Sequence, residues 1–354
     1  MSLLFSIFCI AVGIIIAIFK PGGILKIIAS AQHNTVGTEL LSLALNLIVT
    51  ACTESIGFVH AKSLQYALAS ESRLHFNTNL RLVTAVRRKR WTSPNGVIFN
   101  AIMAMLLIIS YVSSSIVFIL DDLSWNTWVL SPAVIMLGVS LLLQAMIAYG
   151  GVRRNTQIIT WSSSQFDATA ALLHNDYLVP VSGRSMCNVL ESRLDLGPKM
   201  PKEYQPSAWK AHPSIKPTII FLWSIVPACA IWGGILVGIG KKFNLFQQSG
   251  DDGLVGSWSL LPSLHTHTVY LVPLSPSGFF GWWLDLSIII AIQGALTIGL
   301  HCSEIIVNVV RDETAWRRAT SKEGVRLSNN PLATVLGSWQ NVALLIAKPV
   351  LREL

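Results

Sequence analysis

The sequence predicts an all-α fold: a polytopic transmembrane helix bundle of six clear spans, with a seventh segment that either spans or lies in the interface as an amphipathic helix. Three observations carry this expectation. Of the 354 residues, 52% are hydrophobic and only 12% charged, about half the charged share of an ordinary soluble domain. The apolar residues are gathered into blocks long enough to cross a hydrocarbon core of ~30 Å. The basic residues collect in alternate segments between those blocks, as the positive-inside rule requires.

The first block, 3–19, is closed by Lys20-Pro21-Gly22-Gly23. It has no basic residues before it, so a retained span is expected rather than a cleaved signal. The second runs over 38–60, the third over 97–120, the fourth over 129–150, the fifth over 218–240 and the sixth over 283–310. In lipid each must be helical, because every backbone N–H and C=O has to find its partner within its own segment. The seventh segment, 332–348, is short and interrupted by Ser338, Gln340 and Asn341. The whole chain, 1–354, reads as a single transmembrane domain.

Lys and Arg set the orientation. Segment 61–96 holds seven of them, 151–217 eight and 311–354 seven, which leaves only Lys20, Lys26, Lys241 and Lys242 elsewhere. The three rich segments are therefore expected in the cytosol, together with the N-terminus. Loop 151–217 becomes a cytosolic loop and 241–281 an extracytosolic one. Trp125, Trp128, Trp282 and Trp283 then fall at the outer interface, and Trp91 and Trp316 at the inner one. The run Arg87-Arg88-Lys89-Arg90 fixes topology and can contact anionic lipid. Membrane lipid is thus one expected partner. Nucleic acid is not, since no basic-aromatic module of a known kind is present. Nothing in the sequence specifies an oligomeric state.

The stretch TACTESIGFVHAKSL places Glu54 in the middle of an apolar run. On the second span Asn46, Thr50, Thr53, Glu54 and Gly57 recur at steps of three and four. On the sixth, Gln293, Thr297, His301, Glu304 and Asn308 do the same. Those steps hold residues on one helical face, and such a face should look into the bundle or onto water, because lipid penalises ionised groups by several kcal/mol. His301 and Glu304 stand at i and i+3 and can touch. The candidate intramembrane site is therefore Glu54, His301 and Glu304, with Asn46, Gln293 and Asn308 on the same stripes.

Two readings of that site stay open. In one, the glutamates are a proton or cation relay, or a site for a small polar solute. In the other, they hydrogen-bond to Asn100, Ser110, Ser113, Ser140 or Gln144 and hold the helices together. The stripes also resemble each other, since Cys52, Glu54, Ile56 and Val59 match Cys302, Glu304, Ile306 and Val309 at a constant offset of 250. If segment 332–348 spans, this suggests a parallel duplication, although four matches in an apolar alphabet arise by coincidence about as readily.

Other features point less far. Pro227 and Gly233-Gly234 invite a kink in the fifth span. The five cysteines, Cys9, Cys52, Cys187, Cys229 and Cys302, lack metal-ligand spacing and read as small buried hydrophobes. Asp251, Asp252, His265 and His267 meet no spacing rule for a metal. No cofactor is expected, and no nucleophile elbow, phosphate loop or HExxH motif is present.

The stretches TESIGFVHAKSLQYALASESRLHFNTNLRLV (53–83), TIGLHCSEIIVNVVRDETAWRRA (297–319) and NPLATVLGSWQNVALLIAKPVL (330–351) resemble an uncharacterised family of multi-pass integral membrane proteins from filamentous fungi. The resemblance implies a multi-spanning fold and a fungal source, and no activity or functional residue. The sequence leaves the activity of this integral membrane protein undetermined; among concrete functions a small-solute or proton-linked transporter ranks first. A non-catalytic membrane scaffold or partner-binding protein is the alternative, and a membrane-embedded enzyme the third.

Overall fold

In a computed structural model, the structure describes residues 1–28, 35–71, 85–87, 93–121, 126–154, 158–162, 171, 174–175, 215–242, 290–301, 303–304, 306–307, 318 and 339–353. Seven helices organise them: α1 (Ser2–Phe19), α2 (Thr35–Ser70), α3 (Val97–Ser115), α4 (Ser131–Arg154), α5 (Ile215–Lys242), α6 (Ile290–His301) and α7 (Trp339–Glu353). Helical backbone continues past α6 at Ser303, Glu304, Ile306 and Val307.

Four helical stretches, Ser2–Phe19, Leu40–Leu68, Val97–Ser115 and Ser131–Arg154, are long and apolar enough to cross a membrane. Their side chains are arranged inside out relative to a soluble protein. Ser6, Asn46, Thr50, Thr53, Asn100, Ser110, Ser140 and Gln144 are buried, whereas Leu4, Phe8, Ile18, Met105 and Met146 are exposed. Water would not stabilise that distribution, but acyl chains would.

Several of the buried hydroxyls are satisfied locally. Ser6 donates to Leu3 O (2.8 Å), Ser110 to Leu107 O (2.8 Å), Ser140 to Leu137 O (2.9 Å) and Thr50 to Asn46 O (2.7 Å). Such back-bonds to the preceding turn keep polar atoms off the helix surface, so neighbouring helices can approach on small residues. The α1–α4 seam uses this most. A Cβ built on Gly138 would stand 2.7 Å from the Ser6 carbonyl oxygen, and one on Gly13 would stand 3.1 Å from the Ile135 backbone nitrogen.

Hydrogen bonds also cross between helices in the core. Thr53 Oγ1 and Tyr111 Oη share a hydrogen bond of 2.7 Å between α2 and α3. Gln144 Nε2 on α4 donates to Leu106 O on α3 at 3.1 Å. The apolar remainder, including Val49, Cys52, Leu107, Leu137 and Leu141, packs between α2, α3 and α4. Cys9 and Cys52 are both buried free thiols, as small hydrophobes would be.

The expected helical class holds, with four rather than six stretches long and apolar enough to span among the described residues, and a small three-stranded sheet that the sequence did not predict joins the helix ends. Strands β1 (Ile24–Ile28), β2 (Phe118–Asp121) and β3 (Asn126–Leu130) pair antiparallel in the order β1-β3-β2. Ile24 faces Leu130 and Lys26 faces Trp128 across one edge, while Phe118 faces Val129 and Asp121 faces Asn126 across the other. The expected third span, 97–120, stops as a helix at Ser115, and the fourth, 129–150, starts as one at Ser131. Where the chain leaves its helix, its backbone groups still need partners, and strand pairing supplies them. The turn into β1 depends on Gly22 (φ 71°) and Gly23 (φ 69°), both in the left-handed region.

At the opposite end, α2 continues ten residues past the expected limit of 60, to Ser70. There Leu64, Ala67, Leu68 and Val86 form a second apolar cluster. Asn95 Nδ2 donates to Ser63 Oγ at 3.0 Å, and the Thr160 N–H donates to Tyr66 Oη at 3.0 Å. Segments on both sides of the α3–α4 pair are thereby tied to α2. Helix α5 covers the expected fifth span, with Pro227 inside it. Cys187, the outer loop 241–281 from 243 onward with its Asp and His residues, and most of loop 151–217 lie outside the described residues.

Candidate functional site

Glu54 sits midway along the apolar stretch Leu40–Leu68 of α2. Its carboxylate meets a partner that the sequence did not single out. Lys348 of α7 donates from Nζ to Glu54 Oε1 at 2.6 Å. The same ammonium also bonds Glu304 Oε1, from the helical turn that follows α6. His301 Nδ1 stands 3.4 Å from the other oxygen of Glu304, Oε2. Three helices thus bring two carboxylates, one ammonium and one imidazole together. The Lys348 side chain is 5% exposed, with Glu54 at 30% and Glu304 at 24%.

Local sequence explains each placement. Helix α7 packs against α2 and α3, and it turns Leu345 and Ile346 outward while Lys348 is buried. Its apolar side faces out and its one described cation faces in, the reverse of a helix on a soluble protein. At 15 residues it is about 22 Å long. On α6, Gly294 approaches Ile108 of α3, and Gly299 lies against Leu222 and Ile225 of α5. The stripe Gln293, Thr297 and His301 is buried between them.

Of the six residues expected in the site, Glu54, His301 and Glu304 come together. Asn46 and Gln293 are buried on the same stripes but lie about 12 Å and 16 Å along their helices from Glu54 and Glu304. Asn308 lies outside the described residues. The expected structural partners do not serve the glutamates in the way proposed. Ser110 and Ser140 give their protons to their own helices, and Gln144 bonds α3. Lys348 was counted with the cytosolic cations of 311–354, and its burial removes it from that count. The signal was present in LLIAKPVL, where a single lysine interrupts an apolar run.

The chemistry follows from the charge count. Two carboxylates and one ammonium carry a net charge of −1, and a neutral imidazole leaves it there. Uptake of one proton, by the imidazole or by a carboxylate, makes the group neutral. In a low-dielectric interior a charge is costly unless it is paired, and the shared Lys348 ammonium pairs both carboxylates. Thr297, one helical turn before His301, has a buried hydroxyl with no hydrogen-bond partner among the described residues. No group of three or more His, Cys, Asp and Glu suited to a metal is found among the described residues.

Apolar helices of this length, with polar side chains turned inward around an ionic cluster, are those of the integral membrane class. Comparison with known proteins gives no matching family model, no matching curated protein and no matching solved structure.

Proposed function

We propose that this chain is a multi-pass membrane transporter for a small solute or for protons, with Glu54, Lys348, Glu304 and His301 as its proton-exchanging group. The carrying observation is the shared ammonium: one lysine between two carboxylates from different helices. Protonation would loosen the hold of Lys348 on one carboxylate, and so couple charge to the packing of α7 against α2. The unpartnered Thr297 hydroxyl beside the cluster offers a polar contact for a solute. In this reading α5 and α6 supply the fifth and sixth spans. The basic segments and the N-terminus face the cytosol. The likeness to fungal multi-pass proteins adds a source and no chemistry.

The test is proton flux into proteoliposomes that hold a pH-sensitive dye, under an imposed potential. The wild-type chain should acidify or alkalinise the lumen, and Glu54→Gln/Glu304→Gln should abolish this while still inserting. Flux that survives in the double variant sinks the proposal.

The scaffold reading has one observation in its favour. Lys348 is nearly sealed between its partners, as a clamp between helices would be. A wild-type chain without flux, whose folding fails in Lys348→Met and recovers when both glutamates become glutamine, would establish the clamp instead.

A further inference from the structure

Away from the ionic cluster, α3 and α4 leave a groove of about 780 Å3 on the outside of the bundle. This is within the ~300–1,000 Å3 range of small-molecule sites. Phe99, Ile102 and Leu106 of α3 form one wall, and Leu143, Met146 and Ile147 of α4 the other. Phe99 to Leu106 is two helical turns, about 10 Å. Ile102, Leu143 and Met146 are 40%, 41% and 59% exposed, so the groove opens outward rather than into the core. At one end Pro94 lies over Gly150, where a Cβ would stand 3.7 Å from the proline ring. The same end carries Arg153 and Arg154 at the last turn of α4.

We infer that this groove is a binding site for one anionic phospholipid, its acyl chain along the α3–α4 wall and its headgroup phosphate at Arg153 and Arg154. The inference rests on the bundle being membrane-embedded and is independent of the ionic cluster. Shape and charge agree in pointing to this occupant. An apolar trough open to the side accepts a chain from the bilayer without breaking a polar contact. Its single polar end presents two guanidinium groups, which suit bidentate hydrogen bonding to phosphate oxygens. A zwitterionic lipid would fill the trough equally well, so the arginines supply the selectivity and the walls supply the retention.

The test uses the full chain in detergent micelles and native mass spectrometry, with phosphatidylserine and phosphatidylcholine of identical acyl chains in equal amounts. One phosphatidylserine should be retained in preference, by on the order of 30-fold, about five-fold for each guanidinium. Arg153→Gln/Arg154→Gln should reduce the preference to about two-fold or less without loss of monodisperse protein. Arg153→Lys/Arg154→Lys should keep most of it, which separates charge from structural damage. Met146→Trp should lower retention of both lipids together. Equal retention of the two lipids by the wild-type chain overturns the inference, as does an unchanged preference in the glutamine variant. A photo-crosslinker at Met146 that captures a second copy, or the chain's own segment 155–214, instead of lipid overturns it too. Absence of proton flux leaves all of these readouts unaffected.

Discussion

Lys348 Nζ lies 2.6 Å from Glu54 Oε1 although 294 residues separate the two in sequence. With Glu304 on its other side, the ammonium is the common counter-ion of two helices. Lys348→Met should therefore destabilise the protein by roughly 3–5 kcal/mol, because it strands two carboxylates in an apolar setting. The same substitution in a Glu54→Gln/Glu304→Gln background should be close to neutral. Thermal melting of the four forms in one detergent checks both statements.

The two glutamates should behave as a coupled pair. After Glu54→Gln or Glu304→Gln alone, Lys348 keeps one carboxylate. After both, the ammonium is left buried without an anion from either helix. The double variant should cost more than the sum of the singles by about 0.5–3 kcal/mol, the range of coupling seen within shared networks. A double-mutant cycle on melting or denaturant unfolding reads this directly, and strict additivity would contradict the shared-ammonium geometry.

Glycine is needed at the α1–α4 seam and not everywhere. The Cβ of Gly138→Ala would meet the Ser6 carbonyl oxygen at 2.7 Å, and that backbone atom cannot rotate away. We expect a loss of about 1–3 kcal/mol, as overpacking gives. Gly234 of α5 has nothing within 4 Å of its Cβ position among the atoms described, so Gly234→Ala should be neutral or stabilise by about 0.5–1 kcal/mol. Melting of the two variants side by side separates packing from helix propensity.

Tyr111, 1% exposed, spends its hydroxyl on Thr53. Tyr111→Phe and Thr53→Val should each cost about 1 kcal/mol. Together they should cost less than the sum of the two, since the Thr53–Tyr111 bond is common to both while Thr53 also donates to Thr50 O. Unfolding of the single and double variants is the measurement.

Side-specific labelling tests the orientation. In a background without reactive cysteines, Lys26→Cys in β1 should react with a membrane-impermeant maleimide added outside intact cells. Arg154→Cys at the end of α4 should react only after permeabilisation. The reverse pattern would invert the topology and place the proposed lipid site in the outer leaflet.

What the sequence conveyed depended on how far apart the cooperating residues lie. The helix α1 could be read almost to the residue, as Ser2–Phe19 against an expected 3–19, because an apolar block ending in Lys-Pro-Gly-Gly is a local signal. The inward faces of α2 and α6 could be read too, since steps of three and four put Glu54, His301 and Glu304 on one side each. The sheet could not. Phe118-Ile119-Leu120 and Trp128-Val129-Leu130 are apolar in a helix or a strand alike. The evidence for the second is its pairing with Ile24–Ile28, about a hundred residues earlier, and for the first its pairing with that same strand. Lys348 was missed for the same reason. Charge statistics assign a lysine near a span end to the aqueous side, and only the contact with Glu54 and Glu304 reverses that.

Strand β3 passes straight into α4 at Leu130–Ser131, β1 follows α1 after four residues, and β2 follows α3 after two. Three rods long and apolar enough to cross a membrane are thereby riveted to one small plate. A load applied to any of them is shared through the plate with the other two, so α1, α3 and α4 act as a stator. The grip of α7 on α2 through Lys348 and Glu54 lies outside that plate.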